Sequence, residues 1–187
     1  MDQAMTLETR AGLPDALRVL VRDYPRNIWE GHGNFDELTR FWLSRHLMFR
    51  DTLARIEDVT AAYLDRSIEA RAFGAQSARL TGFLLNQLQG HHQIEDTHYF
   101  PRLAGLDARL TAGFALLDAD HHALDAHIHG LADSTNAMLR ALSEAPETAK
   151  VGPLQRQLAG FARFIDRHLV DEEELVIPVI LHHAPDL

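Results

Sequence analysis

At 187 residues the chain has the length of one domain, enough to bury about 70% of the surface that its unfolded form exposes. It contains no cysteine, which excludes disulfides, thiolate zinc sites and cysteine-ligated iron–sulfur clusters and leaves nitrogen and oxygen as metal donors. The formal net charge of −9, with Lys and Arg outnumbered and dispersed, argues against a nucleic-acid surface, and twelve histidines are the compositional outlier.

No apolar run approaches the roughly 20 residues that cross a bilayer, and Met1 to Thr6 carries no basic start of a secretion signal. The expectation is a soluble, cytoplasmic protein. Residues 1–33 read as a lead-in segment with at most one short helix, because Asp23, Pro25, Gly31 and Gly33 punctuate it densely. His32 in Gly-His-Gly reads as an exposed loop residue.

Asn34 then offers an N-cap with Glu37 three residues on. The apolar series Phe35, Leu38, Trp42, Phe49, Leu53, Ile56 and Tyr63 forms one helical stripe, and its gap is filled in phase by His46. A buried imidazole needs a hydrogen-bonding partner or a metal. After a looser stretch, Asp65 to Gly74, a second helix is predicted from about Ala75 to Phe100, stopped by Pro101. Its stripe is Leu80, Leu84, Leu88, His91 and Glu95, with His92 on the adjoining flank.

The third helix reads from about Ala108 to Leu142, with Phe114, Leu117, His121, Leu124, Ile128, Leu131, Thr135 and Met138 in unbroken steps of three and four. His122, His127 and His129 are out of phase and read as exposed. Asp125, four residues after His121, is a candidate outer partner beside the seam. Ser143 to Gly152, with Pro146, is the clearest break, and Pro153 suits the first turn of a last helix. That helix carries Leu154, Leu158, Phe161, Ile165, His168, Glu172, Leu175 and Val179, with Pro178 kinking or ending it. The charge run Asp171 to Glu174 would ordinarily be a solvated face, yet Glu172 falls in the seam.

Two stretches share one skeleton: His91 to Pro101 and His168 to Pro178 both read His-x3-Glu-x5-Pro. Residues four apart share a helix face, so each copy aims an imidazole and a carboxylate at one place. Four amphipathic helices predict an all-α fold, an antiparallel up-down-up-down four-helix bundle over residues 34–183 behind the lead-in segment. Measured from a turn near residue 70, His46 lies 24 residues before and His91 21 after; around residue 106, Glu95 lies 11 before and His121 15 after. At about 1.5 Å per residue these polar breaks come to one level. Five imidazoles and two carboxylates exceed the needs of one ion, and such donors suit iron, copper or zinc over calcium or magnesium. A metal-free bundle in which the histidines and glutamates satisfy one another is the structural alternative.

As a set and in this order, His46, His91-His92-x-x-Glu95 with Tyr-Phe-Pro, Asp120-His121, and His168-x3-Glu172-Glu173 with Ile-Pro resemble the hemerythrin-like, or HHE, cation-binding domains over about residues 35–183. The resemblance implies two iron ions joined by an oxo or hydroxo bridge and by Glu95 and Glu172, with His46, His91, His121 and His168 as further ligands and His92 where some relatives place one more; zinc is the alternative metal. It implies binding or sensing of O2, nitric oxide or iron, and alternatively an enzyme that consumes peroxide or activates oxygen. Ile94, Leu124, Phe164 and Ile165 would exclude water, and His98 is a candidate gate whose plainer reading is an exposed histidine. Two departures stand out. Animal hemerythrins carry His-x3-His in the third helix where this chain has His121 and Asp125, and the cysteine-bearing N-terminal domain of the iron–sulfur repair relatives is missing.

Overall fold

The computed structural model describes residues 5–145 and 151–187, so Pro146, in the predicted break, lies outside the described residues. The fold is all-α: among the described residues there is no strand, and there are five α-helices, α1 (Glu37–Leu64), α2 (Ala70–Ile94), α3 (Phe100–Ala104), α4 (Thr111–Glu144) and α5 (Gly152–His183). No helix among them is long and apolar enough to cross a membrane.

Several boundaries differ from the sequence expectation for local reasons. Asp36, not Asn34, caps α1: its Oδ1 accepts from Thr39 N at 2.8 Å and from the Thr39 hydroxyl at 2.7 Å. Asn34 instead donates its side-chain amide to the Leu181 carbonyl at 2.7 Å. Pro101 does not stop the second helix. A five-residue π turn, Glu95–Tyr99, joins α2 to α3, and Phe100 N–H reaches back to the Glu95 carbonyl. Proline lacks the donor that would return to residue 97 and crowds that carbonyl, and a widened turn just before it is one way for a helix to absorb the conflict. Pro178 likewise sits inside α5, which continues to His183.

The chain divides into two compact units. One takes in the chain up to Leu47, His91–Ala123 and Phe164–Leu187; the other takes in Met48–Gly90 and Leu124–Arg163. In the second, Phe49, Leu53, Ile56, Phe73, Leu84, Leu131 and Phe161 are buried, and Tyr63 stacks on Phe73 with ring centroids 4.4 Å apart. In the first, the core gathers Leu13, Leu20 and Trp29 from the lead-in segment with Trp42, Phe100, Phe114, Leu117 and the apolar run Leu175–Leu181. The described part of the lead-in is turn-rich and includes a 3-10 helix at Arg26–Gly31.

That packing leaves no room at Gly113. A Cβ there would lie 2.7 Å from the Leu17 carbonyl oxygen and 3.0 Å from Leu175. Gly113→Ala is therefore expected to destabilise the fold by roughly 1–3 kcal/mol, outweighing a gain in helix propensity of about 1 kcal/mol. Gly82→Ala, where nothing lies within 4 Å, should show the propensity gain alone. Paired thermal melts of the two variants check this.

Candidate metal centre

All seven sequence-predicted site residues lie in the first unit and converge there. His46 comes from α1, His91 and His92 from the end of α2, Glu95 from the first position of the π turn, His121 from α4, and His168 and Glu172 from α5. They form two groups, His46, His91, Glu95 and Glu172 in one and His92, His121 and His168 in the other, with the donor atoms of each group within 4.8 Å of one another.

The glutamates tie the groups together. Glu172 Oε1 lies 3.3 Å from His46 Nε2, while Oε2 lies 3.4 Å from His168 Nε2. Glu95 Oε1 lies 3.0 Å from His91 Nε2, while Oε2 lies 3.7 Å from His121 Nε2. Each carboxylate thus turns one oxygen to each group.

The spacing fits cations. Two nitrogens each about 2.1 Å from one ion and at right angles around it are about 3.0 Å apart. His46 Nε2 and His91 Nε2 are 3.1 Å apart, and His121 Nε2 and His168 Nε2 are 3.0 Å apart. Both Glu95 oxygens, Glu172 Oε2 and His92 Nε2 are buried with no hydrogen-bond partner. Buried carboxylate oxygens and an imidazole nitrogen in that condition are costly unless something positive meets them. His92, on the flank of the stripe by sequence, is buried with its ring stacked on His121 at 4.1 Å.

An outer ring of acids sets the imidazoles. Asp96 Oδ1 is 2.7 Å from His121 Nδ1, Glu173 Oε1 is 3.0 Å from His46 Nδ1, and Asp120 Oδ2 is 3.5 Å from His168 Nδ1. An ionised carboxylate only accepts, so each Nδ1 carries the proton and Nε2 faces inward. Trp42 adds its indole N–H, which donates to Glu172 Oε1 at 2.6 Å and lies 3.0 Å from His46 Nε2. Sequence periodicity missed these partners, although Asp96, Asp120 and Glu173 each stand next to a site residue in the chain.

Some expectations fail here. Asp125 is exposed, and the outer nitrogen of His121, Nδ1, meets Asp96 Oδ1 at 2.7 Å instead. Ile94 is 47% exposed, on the solvent side of α2, and does not seal the site. His98, by contrast, is exposed as its plainer reading has it, 3.3 Å from Arg102 Nη1. His32 and His127 are half-buried where exposure was expected. The charge run is no solvated face, because Asp171, Glu172 and Glu173 are all buried.

The electrostatics divide the imidazoles. Burial, reinforced by neighbouring histidines, pushes His91 down to about 3 and His92 well below its ordinary value. Burial also lowers His121, despite Asp96. For His168 burial is outweighed by Asp120 and Glu172, and the ring is raised to about 9; Glu172 and Glu173 raise His46 in the same way. Glu95 is held well above the carboxylate range by burial and by the charge of Glu172, whereas Glu172, though buried, is held well below it by His46 and His168. In the metal-free protein the protonated His168 contributes stability that is fully present below pH 6.5 and lost as pH rises through about 9. A cation must displace that proton. Metal affinity is therefore expected to climb with pH up to about 9, by roughly tenfold per unit for each proton released; competition titrations from pH 6 upward measure it.

A model of the hemerythrin HHE cation-binding domain matches residues 37–180. The chain belongs to the hemerythrin HHE family. No curated protein and no solved structure matches it. In this HHE domain the matched span starts at the first residue of α1, so the lead-in segment lies outside it. The family binds cations, and the buried His/Glu groups are where this member has the donors to do so.

Proposed function

We propose that the protein holds two iron ions between His46, His91, His92, His121 and His168, bridged by Glu95 and Glu172, and uses them to bind or sense a small ligand such as O2 or nitric oxide. The observation that carries this reading is the way both glutamates divide their oxygens between the two histidine groups. A carboxylate serving one ion would turn both oxygens, or its better one, to a single group. The helical seams support an antiparallel four-helix bundle over residues 34–183 as the frame, with α3 a continuation of the second helix.

The donor count distinguishes the two places. The His92, His121 and His168 group offers three imidazoles and, with the glutamates, five donors. The His46 and His91 group offers two imidazoles and four donors. The four-donor side has more room for an exogenous ligand, and His91 on that side has the most exposed of the donor side chains, at 8%. When bound, iron supplies reversible one-electron chemistry in a site that the surrounding core keeps dry. Trp42 holds Glu172 Oε1, and Asp96, Asp120 and Glu173 hold the imidazole protons outward, so the donors are set before a metal arrives.

Anaerobic loading with ferrous iron tests the reading: two irons per chain should bind, and exposure to O2 or nitric oxide should change the optical spectrum in a ligand-specific way. A chain that binds one iron, or none, sinks the two-ion reading. Two irons with no spectral response and steady turnover of peroxide would favour the enzymatic alternative, and preference for zinc at full occupancy would favour a structural site.

A further inference from the structure

The lead-in segment reaches the candidate centre twice, once on each side. Arg10 is buried, with its side chain only 2% exposed. Its Nη1 donates to Asp120 Oδ1 at 2.7 Å, its Nη2 pairs with Asp120 Oδ2, and its Nε donates to Asp171 Oδ2 at 2.8 Å. Asp120 in turn faces His168 Nδ1. Sixteen residues on, Arg26 pairs with Glu173, and Glu173 faces His46 Nδ1. One arginine therefore stands behind a histidine of each donor group.

The two contacts differ from ordinary surface ion pairs. Asp120, Asp171 and Glu173 are all buried, where an ionised carboxylate needs a cation beside it. Asp171 has substitutes for Arg10: Arg167 Nη2 at 2.6 Å and Leu13 N at 3.0 Å both donate to its Oδ1. Asp120 has Arg10 and, at 3.5 Å, His168. Both Asp120 oxygens are engaged by the guanidinium fork, which fixes the carboxylate plane and with it the direction from which His168 Nδ1 is met. Without Arg10, Asp120 would turn toward water or take a proton, and His168 would lose the group that sets its orientation.

We propose that Arg10 and Arg26 are positioning residues for the metal centre, so that the lead-in segment, outside the matched family domain, governs how tightly each ion is kept. Arg10 acts on the His92, His121 and His168 group through Asp120. Arg26 acts on the His46 and His91 group through Glu173. Loss of an outer partner of a metal-bound histidine costs 10–100-fold in affinity, and each arginine's loss falls on its own side. The inference rests on the two-ion reading above.

The test uses full-length protein loaded anaerobically with two equivalents of ferrous iron and chased with a colorimetric ferrous chelator. In Arg10→Met one equivalent should leave 10–100-fold sooner than in wild type, the other staying within about twofold. Arg26→Met should speed one equivalent likewise, and the double variant should speed both. Arg10→Lys, which keeps the charge but not the fork, should recover part of the retention. The inference is overturned if both equivalents stay within twofold of wild type in each single variant, or if each single variant speeds both equivalents alike, which is general loosening of the fold. Should Arg10→Met fail to fold by circular dichroism, Arg26→Met decides, because Arg26 is largely exposed. Wild type that holds only one iron overturns the two-ion reading instead, and the variant that speeds release of that iron still shows which arginine acts on it.

Discussion

Replacing Glu172 by Gln is expected to remove both ions from the protein and to weaken the metal-free fold, whereas Glu95→Gln is expected to remove the ions and leave the metal-free fold intact. Both carboxylates turn an oxygen to each histidine group, so neither variant should lose only one ion. Their roles without metal are opposite. Glu172 is ionised, accepts the Trp42 indole N–H and faces His46 and His168, two imidazoles that its charge helps to keep protonated. Removing that charge leaves buried cations without their partner, at a cost of roughly 3 kcal/mol, which for a chain of this size lowers the melting temperature by about 6–12 °C. Burial and the neighbouring charge of Glu172 push Glu95 well above the carboxylate range, toward the neutral form that an amide mimics. An amide in its place should change the metal-free stability by less than about 1 kcal/mol. Iron content after loading, with melts in excess chelator, checks both parts. Retention of one tightly held iron in Glu172→Gln would contradict the bridging geometry.

Removal of metal from the wild-type protein carries the second large effect. A ligand present at a thousand times its dissociation constant stabilises the fold by about 4 kcal/mol, so two such ions contribute roughly 8 kcal/mol. At about 2–4 °C per kcal/mol, chelation should lower the melting temperature by more than about 15 °C. The effect should be strongest at alkaline pH, where the protonated imidazole of His168 no longer supports the metal-free state. Scanning calorimetry of loaded and chelated protein at pH 7 and 9 measures it. A difference below about 3 °C at both pH values would show that the donors are already satisfied among themselves.

The residues that the structure brings together were legible in sequence because a helical stripe leaves little freedom to its members. His46, His91, Glu95, His121, His168 and Glu172 each interrupt an apolar seam at a seam position, and a polar side chain in that place has to point inward. His92 was ambiguous because it follows His91 and sits about 100° around the helix; only the neighbouring helices decide whether that flank is covered. Asp96, Asp120 and Glu173 look like solvated charges in an acidic chain, and nothing local distinguishes them from Asp125, which is one. Arg10 was beyond reach for another reason. Its partners stand 110 and 161 residues away, and no periodicity links a turn-rich segment to helices so distant in the chain. The prolines misled because Pro101 was read as a helix end and Pro178 as a kink or an end, while a widened turn carries the chain past the first and α5 continues through the second.

The π turn has a consequence for angular phase. An α-helix advances 100° per residue, so a residue added to or removed from it rotates everything beyond by that amount. A π turn takes in one extra residue without that rotation being passed on in full. His91 and His92 on one side of Glu95–Tyr99 are therefore aimed independently of Phe100 and Leu103 on the other, which pack in the core and, through Phe100, against the ring of His121. The chemistry and the packing of this one continuous helix keep separate clocks, and Glu95 sits on the dial between them. Deleting Thr97 should therefore restore a regular helix with Glu95 and Phe100 close to their present directions, whereas deleting a residue from the α-helical turn before His91 would have to be absorbed by a rotation of about 100°.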